Sequence, residues 1–203
     1  MFSLVDAVLL RPLRYREPSQ LFRVWQVFPD NRITSQAWDR GGISYPQYLG
    51  LRAAKNVVEN AAAFLMMDGT ISGRGDAEKV QTALTTATLL STLGLRPLLG
   101  RNFSPDDEVG PGEGVAMIRY DLWRRRLAAD PSVVGQTITV DQRPYVVVGV
   151  MPPELRLLST TQSAGTEYVN PDVWVPHASP SLCDRAGRTI RRPLGKYFTT
   201  DSA

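Results

Sequence analysis

The sequence predicts an α/β (α+β) domain: a layered mixed sheet with flanking helices and a C-terminal β-hairpin. Runs of strand length and runs with helical spacing follow each other along the chain, and no internal repeat is present. The 15 prolines and 16 glycines among 203 residues indicate many short elements joined by turns. A hydrophobic content of 43% and a charged content of 21% fit a folded globular chain.

The clearest pattern lies between Gly114 and Pro153. Val115–Ile118 is an apolar run of strand length, and Tyr120–Ala129 has apolar residues at helical spacing. Asp130-Pro131-Ser132 can end this helix and begin a new turn, which Gly135 can close in a left-handed conformation. Gln136–Val140 alternates and Tyr145–Val150 is β-branched, so the two predict a β-hairpin.

Other elements follow from shorter patterns. Leu21–Phe28 is apolar on both faces, which predicts a strand inside the sheet. From His177 onward no apolar period persists, and we expect poor order there. The remaining predicted elements are a helix from Ser44 to Ala54, strands at 57–71 and Glu78–Thr86, a helix at Leu89–Leu95 and a short strand at Val173–Pro176.

The first ten residues, Met1–Leu10, are apolar apart from Ser3 and Asp6. Two interpretations remain open on the residues alone. The segment is either an amphipathic helix docked on the domain or the last turns of a transmembrane helix that Arg11-Pro12 ends. The chain has no run of about 18 or more apolar residues, so it contains no complete transmembrane helix.

Neither the cysteine nor the histidine belongs to a recognisable catalytic constellation. His177, the single histidine, has no ligand or acid–base partner at suitable spacing, and we expect it to be solvated or loosely packed. Cys183 is a single cysteine in the weakest part of the pattern. Gly73-Arg74-Gly75 and Gly110–Gly114 lack the Lys-Ser/Thr ending of a phosphate loop and predict turns.

The charged clusters also favour structural interpretations. Consecutive helical residues point about 100° apart, so Arg124–Arg126 cannot form one basic patch, and we expect a solvated flank around Trp123 and Leu127. Asp106–Glu108 lack EF-hand spacing and suit the first turn of a short helix. A net charge of +3 does not by itself indicate nucleic-acid binding. We therefore predict no catalytic, cofactor-binding or metal-binding residue, no cofactor and no enzymatic activity.

Several segments, in this order, resemble the extracytoplasmic core domain of MacB-like ABC transporter permeases. The likeness is closest to the duplicated orphan permeases of acidobacteria. Each segment is weak by itself, but the ordered set is specific and covers most of residues 1–176. The segments are Phe2–Trp25, Ile43–Arg52, Thr85–Glu108, Val115–Leu155 and the short Val173–Pro176.

The resemblance implies a division into 1–13, the end of a truncated transmembrane helix, 14–176, an incomplete periplasmic core domain, and 177–203, a poorly ordered tail that departs from the family's expected continuation. It implies a fragment of a permease at the bacterial inner membrane, with the domain facing the periplasm. A soluble fragment is compatible with this.

The implied role is non-catalytic coupling or docking in membrane transport. The implied partners are the rest of the transmembrane region, a separate ATP-binding subunit and periplasmic partner proteins, with no nucleic acid. The alternative is a soluble small α/β enzyme or a binding module without a recognisable active site.

Two positions depart from the family's usual pattern. The family usually has a small capping residue where this chain has Arg119, so we expect the helix at Tyr120 to lack a side-chain cap, at a cost of about 1 kcal/mol. The hairpin usually turns on Asn-Gly or a close relative. Here Asp141-Gln142 occupies the turn, and Gln disfavours positive φ, so we expect a looser or longer connection.

Overall fold

The computed structural model describes most of the chain between Leu21 and His177 and a short segment near its end. The described residues are 15, 18–24, 26–27, 40–41, 43, 45–73, 75–108, 114–161, 165–177 and 198–201. The predictions for Met1–Leu10, Ser44, Arg74, Cys183 and the glycine-rich residues 110–113 fall outside this part of the chain.

The described elements are mostly short strands. The strands are β1 (Leu21–Val24), β2 (Gln26–Val27), β3 (Arg40–Gly41), β4 (Asn60–Ser72), β5 (Glu78–Thr85), β6 (Leu99–Gly100), β7 (Gly114–Ile118), β8 (Thr137–Val140), β9 (Arg143–Val150), β10 (Leu157–Thr161), β11 (Gly165–Val169), β12 (Val173–Pro176) and β13 (Phe198–Asp201). The helices are α1 (Tyr45–Ala53), α2 (Leu89–Thr92) and α3 (Tyr120–Arg126), and 3-10 turns lie at Pro18–Gln20, Pro105–Glu108 and Pro131–Val133.

The main sheet closes on itself. Strand β4 pairs with β5, β5 with β12, β12 with β7, β7 with β9, β9 with β8, and β8 with β4 again. The β5–β12 and β7–β9 pairs are parallel and the other four are antiparallel, so the predicted mixed sheet is present. The prediction of a simple layered sheet is wrong, because these six strands form a ring. We call it the strand ring.

Closure depends on one long strand and one irregular strand. The final residues of β4, Ile71 and Ser72, pair with β8, while residues Phe64–Ile71 pair with β5. The register between β7 and β9 shifts between Ala116 and Met117, which marks a bulge in β9 next to Gly149. A bulge bends its strand and increases the local twist, and this curvature helps the sheet to close.

A side sheet extends from the first residues of β4. Strand β13 pairs with β4, and β1 pairs with β13. Strand β1 therefore lies at the end of the described strand order, and Phe22 is 50% exposed, so the prediction of an internal strand at Leu21–Phe28 is wrong. The structure also places β13 inside the region expected to be poorly ordered, while residues 178–197 fall outside the described part.

Two apolar clusters follow the alternation of the strands. The interior of the strand ring contains side chains from all six strands, whereas the outer face packs against α2 and nearby loops. Interior residues include Ile71, Val80, Ile118, Ile138, Val147 and Val175. Outer residues include Phe64, Ala83, Met117, Val148 and Trp174, which pack in one cluster with Leu89 and Leu90 of α2. Helix α1 forms a third cluster around Tyr48.

The stop and restart after α3 is confirmed. Helix α3 ends earlier than predicted, at Arg126, and Ala128 and Ala129 have φ of 52° and 55°. The Asp130 side chain then accepts a hydrogen bond from the backbone N–H of Ser132, and Gly135 has φ of 90°. These contacts turn the chain from α3 into β8.

The hairpin of β8 and β9 has a shorter turn than expected. Only Asp141 and Gln142 connect the paired residues Val140 and Arg143, and their φ values are 49° and 64°. The expectation of a looser connection is therefore wrong. The expectation for Arg119 is confirmed, since it precedes α3 in an extended conformation without a side-chain capping bond.

Two further features complete the fold. Strands β10 and β11 form a hairpin that the sequence patterns do not predict. Among the described residues, every helix is too short or too polar to span a membrane.

Candidate functional site

The single histidine is packed against an aromatic ring. The imidazole of His177 stacks on the ring of Tyr45, with centroids 4.3 Å apart and an interplanar angle of 11°. Its backbone N–H donates to the carbonyl of Thr85, so the chain continues the β5–β12 pairing by one residue. Burial lowers the pKa of His177 below its ordinary value. The expectation of a solvated or loosely packed histidine therefore does not hold.

Close to this stack lies a buried carboxylate. Glu108 is 9% exposed and accepts a hydrogen bond from the backbone N–H of Ala87. Burial raises the pKa of Tyr45, and the negative charge of Glu108 raises it further. The group joins α1, the end of β12 and the turn before α2. In the part of the chain that the structure describes, no cluster of three or more metal-ligating side chains occurs.

The acidic turn at Pro105–Glu108 is held by ordinary capping and pairing. Asp107 accepts hydrogen bonds from the Ser104 backbone N–H at 2.7 Å and from Arg101 at 2.6 Å. Burial acts to raise the pKa of Asp107, but the hydrogen bonds from Arg101 and Ser104 outweigh it and the pKa is lowered. The carboxylates thus serve this turn, as the sequence predicts.

The three consecutive arginines of α3 divide between two partners, Tyr120 and Glu78, so they form no single basic patch. The guanidinium of Arg124 lies 5.6 Å from the ring centroid of Tyr120. Arg125 and Arg126 both bind the carboxylate of Glu78 at the start of β5. These hydrogen bonds, with that from Arg125 the strongest, lower the pKa of Glu78. Two of the arginines therefore hold α3 to β5 instead of forming a solvated flank.

Arg119 extends this charged group across the strand ring. Its guanidinium donates to the carbonyl of Asn170 at 2.7 Å and pairs with Asp172 at 3.2 Å. Asp172 also lies 3.7 Å from Arg125 and accepts from the backbone N–H of Gln81 at 3.1 Å. Sequence reasoning missed this role, because the partners are far away in the chain and no local pattern relates them. We call Glu78, Arg119, Arg125, Arg126 and Asp172 the arginine clamp.

An anchoring contact lies at the other end of the described chain. Tyr15 is 9% exposed and packs in the outer apolar cluster with Leu155 and Leu157. Its hydroxyl donates to the carbonyl of Arg156 and accepts from the backbone N–H of the same residue. This contact ties the segment that precedes β1 to the turn before β10.

The contacts described above bridge elements. The charged side chains of the arginine clamp pair with one another, and Asp107 pairs with Arg101. The ring of Tyr45 is stacked on His177. Such an arrangement holds helices and loops on the strand ring.

Comparison with known proteins identifies the class. The structure shares its fold with the periplasmic region of MacB from Actinobacillus actinomycetemcomitans, at a TM-score of 0.63 and 13% identity, over 91% of this chain and 75% of that one. It also shares it with the extracellular domain of the noncanonic ABC-type transporter YknZ from Gram-positive bacteria, at a TM-score of 0.62 and 13% identity, over 90% of this chain and 83% of that one. The fold is thus the one that these two extracytoplasmic domains share.

The sequence supports the same class and gives the family. The model of the MacB-like periplasmic core domain matches residues 1–199, so the chain belongs to that family. This match continues into the tail, so the expected departure from the family after His177 is wrong. A curated relative, the macrolide export ATP-binding/permease protein MacB of Burkholderia thailandensis, is 32% identical over 88 residues. The matched region is 43% of this chain and 12% of that protein's length.

Proposed function

We propose that this chain is a non-catalytic extracytoplasmic domain of an ABC-type permease, with a coupling or docking role in membrane transport. The observation that carries the proposal is the match to the MacB-like periplasmic core domain over residues 1–199. The bridging contacts of the arginine clamp and of Tyr15 support it, because they join separate elements into a unit that can pass on movement.

The proposal includes a division of the chain and a location. Residues 1–13 are the end of a transmembrane helix, 14–176 the core domain and 177–203 a tail. The domain faces the periplasm at the inner membrane. The bonds between Tyr15 and the backbone of Arg156 support this division, because they tie the first described residue of the core domain to the turn before β10. The partners are the remaining transmembrane region, a separate ATP-binding subunit and periplasmic proteins.

Fractionation of bacterial cells tests the location. One form is the chain with all coding sequence that flanks it in its gene, and the other is residues 14–203 alone. We expect the first form in carbonate-washed membranes, and cleaved when protease is added to intact spheroplasts. The second form should leave the membrane fraction.

The control is a cytoplasmic marker that stays intact until the spheroplasts are lysed. Circular dichroism of the shorter form confirms that it is folded. Recovery of both forms in the soluble cytoplasm, protected from external protease, would overturn the proposal.

A further inference from the structure

The strand ring has two narrow seams. Strands β4 and β8 meet at two residue pairs, Ile71–Val140 and Ser72–Thr139, and strands β7 and β12 also meet at two. Every other junction in the ring has four or more pairs. The seams divide the ring into one half made of β4, β5 and β12 and another made of β7, β8 and β9. Short ladders are the places where a closed sheet can part at least cost.

The seam between β7 and β12 is braced. The backbone N–H of Arg119 donates to the carbonyl of Asp172 at 2.8 Å and continues the ladder beyond the paired residues. The guanidinium of Arg119 then binds Asn170 and Asp172 on the other side of the seam. Arg125 adds a second cation to Asp172 and a contact to Glu78. Charge-assisted contacts of this kind are stronger than neutral hydrogen bonds.

The seam between β4 and β8 has one reinforcing residue among the described contacts. The backbone N–H of Asp141 donates to the carbonyl of Thr70 at 2.9 Å, and its carboxylate Oδ1 accepts from the Thr70 N–H at 2.8 Å. A Cβ atom at Gly69 would lie 3.3 Å from Oδ2 of Asp141 and 2.7 Å from Oγ1 of Thr82. The glycine thus leaves the space in which the Asp141 carboxylate reaches β4.

A cavity lies along this same seam. It has a volume of about 270 Å³ and lies between the end of β4, strand β8 and the end of α3. The side chains that line it therefore face space instead of packed atoms over part of their surface. The lining residues are Ile71, Ser72, Gly73, Arg126, Leu127, Thr137, Ile138 and Thr139.

From these observations we infer that the strand ring opens locally between β4 and β8, with Asp141 as the latch and the β7–β12 seam as the hinge. Opening separates Thr70 from Asp141 and widens the existing cavity, while the arginine clamp keeps α3 on β5 and β12. Local opening between β4 and β8 requires no membrane attachment. A failed test of seam opening therefore does not affect the proposed function. A failed test of the proposed function likewise does not affect the inference about the seam.

Amide hydrogen exchange of the 203-residue chain tests the latch under native conditions. The Thr70 N–H reports the β4–β8 seam, and the Arg119 N–H reports the braced seam. We expect the protection factor of Thr70 to be at least about tenfold lower than that of Arg119. In Asp141→Gly the new residue still tolerates positive φ, but the carboxylate is gone. This substitution should lower the protection factor of the Thr70 N–H by about a further tenfold.

Asp141→Asn is the matched control. Asparagine tolerates positive φ and retains a side-chain oxygen that accepts from the Thr70 N–H. The protection factor of Thr70 should therefore stay near that in the unmodified chain. The protection factor of the Arg119 N–H should change little in either variant. Equal protection of Thr70 and Arg119 that Asp141→Gly leaves unchanged would overturn the inference.

A disulfide across the seam provides an independent measurement. Ser72→Cys and Thr139→Cys, introduced together with Cys183→Ser, place two thiols at paired positions. Oxidation should raise the Thr70 protection factor to that of Arg119, and reduction should restore the lower value. If the disulfide forms and the protection of Thr70 does not change, the seam is not the site of opening.

Discussion

At the scale of single residues, His177 links the titration of one imidazole to the stability of the fold. Its ring is stacked on Tyr45, and burial lowers its pKa. The unfolded chain therefore takes up the proton at a higher pH than the folded chain, near the ordinary value of about 6.5. Below that pH the unfolded state binds more protons. The contribution of His177 to stability is thus present at neutral pH and is lost as the pH falls.

We expect the free energy of unfolding to decrease between pH 7.5 and 5.5, and His177→Gln to flatten this decrease. Urea unfolding at pH 7.5, 6.5 and 5.5 measures both. Asp107 and Glu78 have lowered pKa values, so the stability that they contribute is present above their ordinary values of 3.8 and 4.5 and is lost as the pH falls below them, outside this range.

Tyr45→Phe is the control, because it retains the aromatic stack and should retain the slope between pH 7.5 and 5.5. An equal slope in His177→Gln and in the unmodified chain would contradict the assignment to this imidazole.

The sequence indicates that Arg119 and Gln142 are unfavourable residues for their local structure. It does not reveal the contacts with distant residues that offset this. Arg119 was expected to leave α3 uncapped and does, yet its guanidinium bonds to Asn170 and Asp172, which no local pattern reveals. Gln142 was expected to loosen its turn. The turn stays tight, because Asp141 is bonded to Thr70 on a distant strand.

At the scale of elements, patterns of adequate length predicted the correct type of structure. Strands β4, β5, β9 and β12 and helix α3 lie where the apolar periods place them. Strand β6 lies within Arg96–Arg101, for which the sequence predicts an extended segment ending at glycine. Strand β13 was missed, since its four residues carry no apolar alternation. The β10–β11 hairpin was missed because its strands have no clear apolar alternation in the sequence. Tertiary pairing determines such elements.

The attachment of α3 to β5 leads to a prediction about the arginine clamp. Glu78→Gln removes the negative charge that faces Arg125 and Arg126, and it should lower the free energy of unfolding by about 1 kcal/mol. The loss should be smaller in 0.5 M salt than in 0.05 M salt, because salt screens partly exposed charges. Urea unfolding at the two salt concentrations measures it.

Asp121→Asn is the matched control in the same charged region. Asp121 is 63% exposed, and its 3.5 Å approach to Nε of Arg119 does not form a hydrogen bond. Its replacement should change stability by at most a few tenths of a kcal/mol. Equal effects of the two substitutions would show that Glu78 does not hold α3 in place.

At the scale of the whole molecule, closure of the sheet was the feature that the sequence did not predict. The pattern correctly indicated a mixed sheet with helices on it. Closure depends on the pairing of β4 with β8 and of β7 with β12, and these partners are far apart in the sequence. Alternation shows which side of a strand is buried, but an open sheet and a closed one bury the same alternate residues.

The bulge in β9 leads to a prediction about the close approach of β6 to the strand ring. Gly149 lies at the register shift, and a Cβ atom there would approach the carbonyl oxygens of Arg101 and Leu99 to 2.7 Å and 2.9 Å. These are backbone atoms of β6 and of the residue that follows it, and they cannot move away cheaply. We expect Gly149→Ala to lower the free energy of unfolding by about 1–3 kcal/mol, measured by urea unfolding.

Gly50→Ala in α1 is the control: no atom lies within 4 Å of its Cβ position, and alanine should stabilise the helix by up to about 1 kcal/mol. If Gly149→Ala is as stable as the unmodified chain, the close approach of β6 to the bulge does not restrict the side chain at position 149.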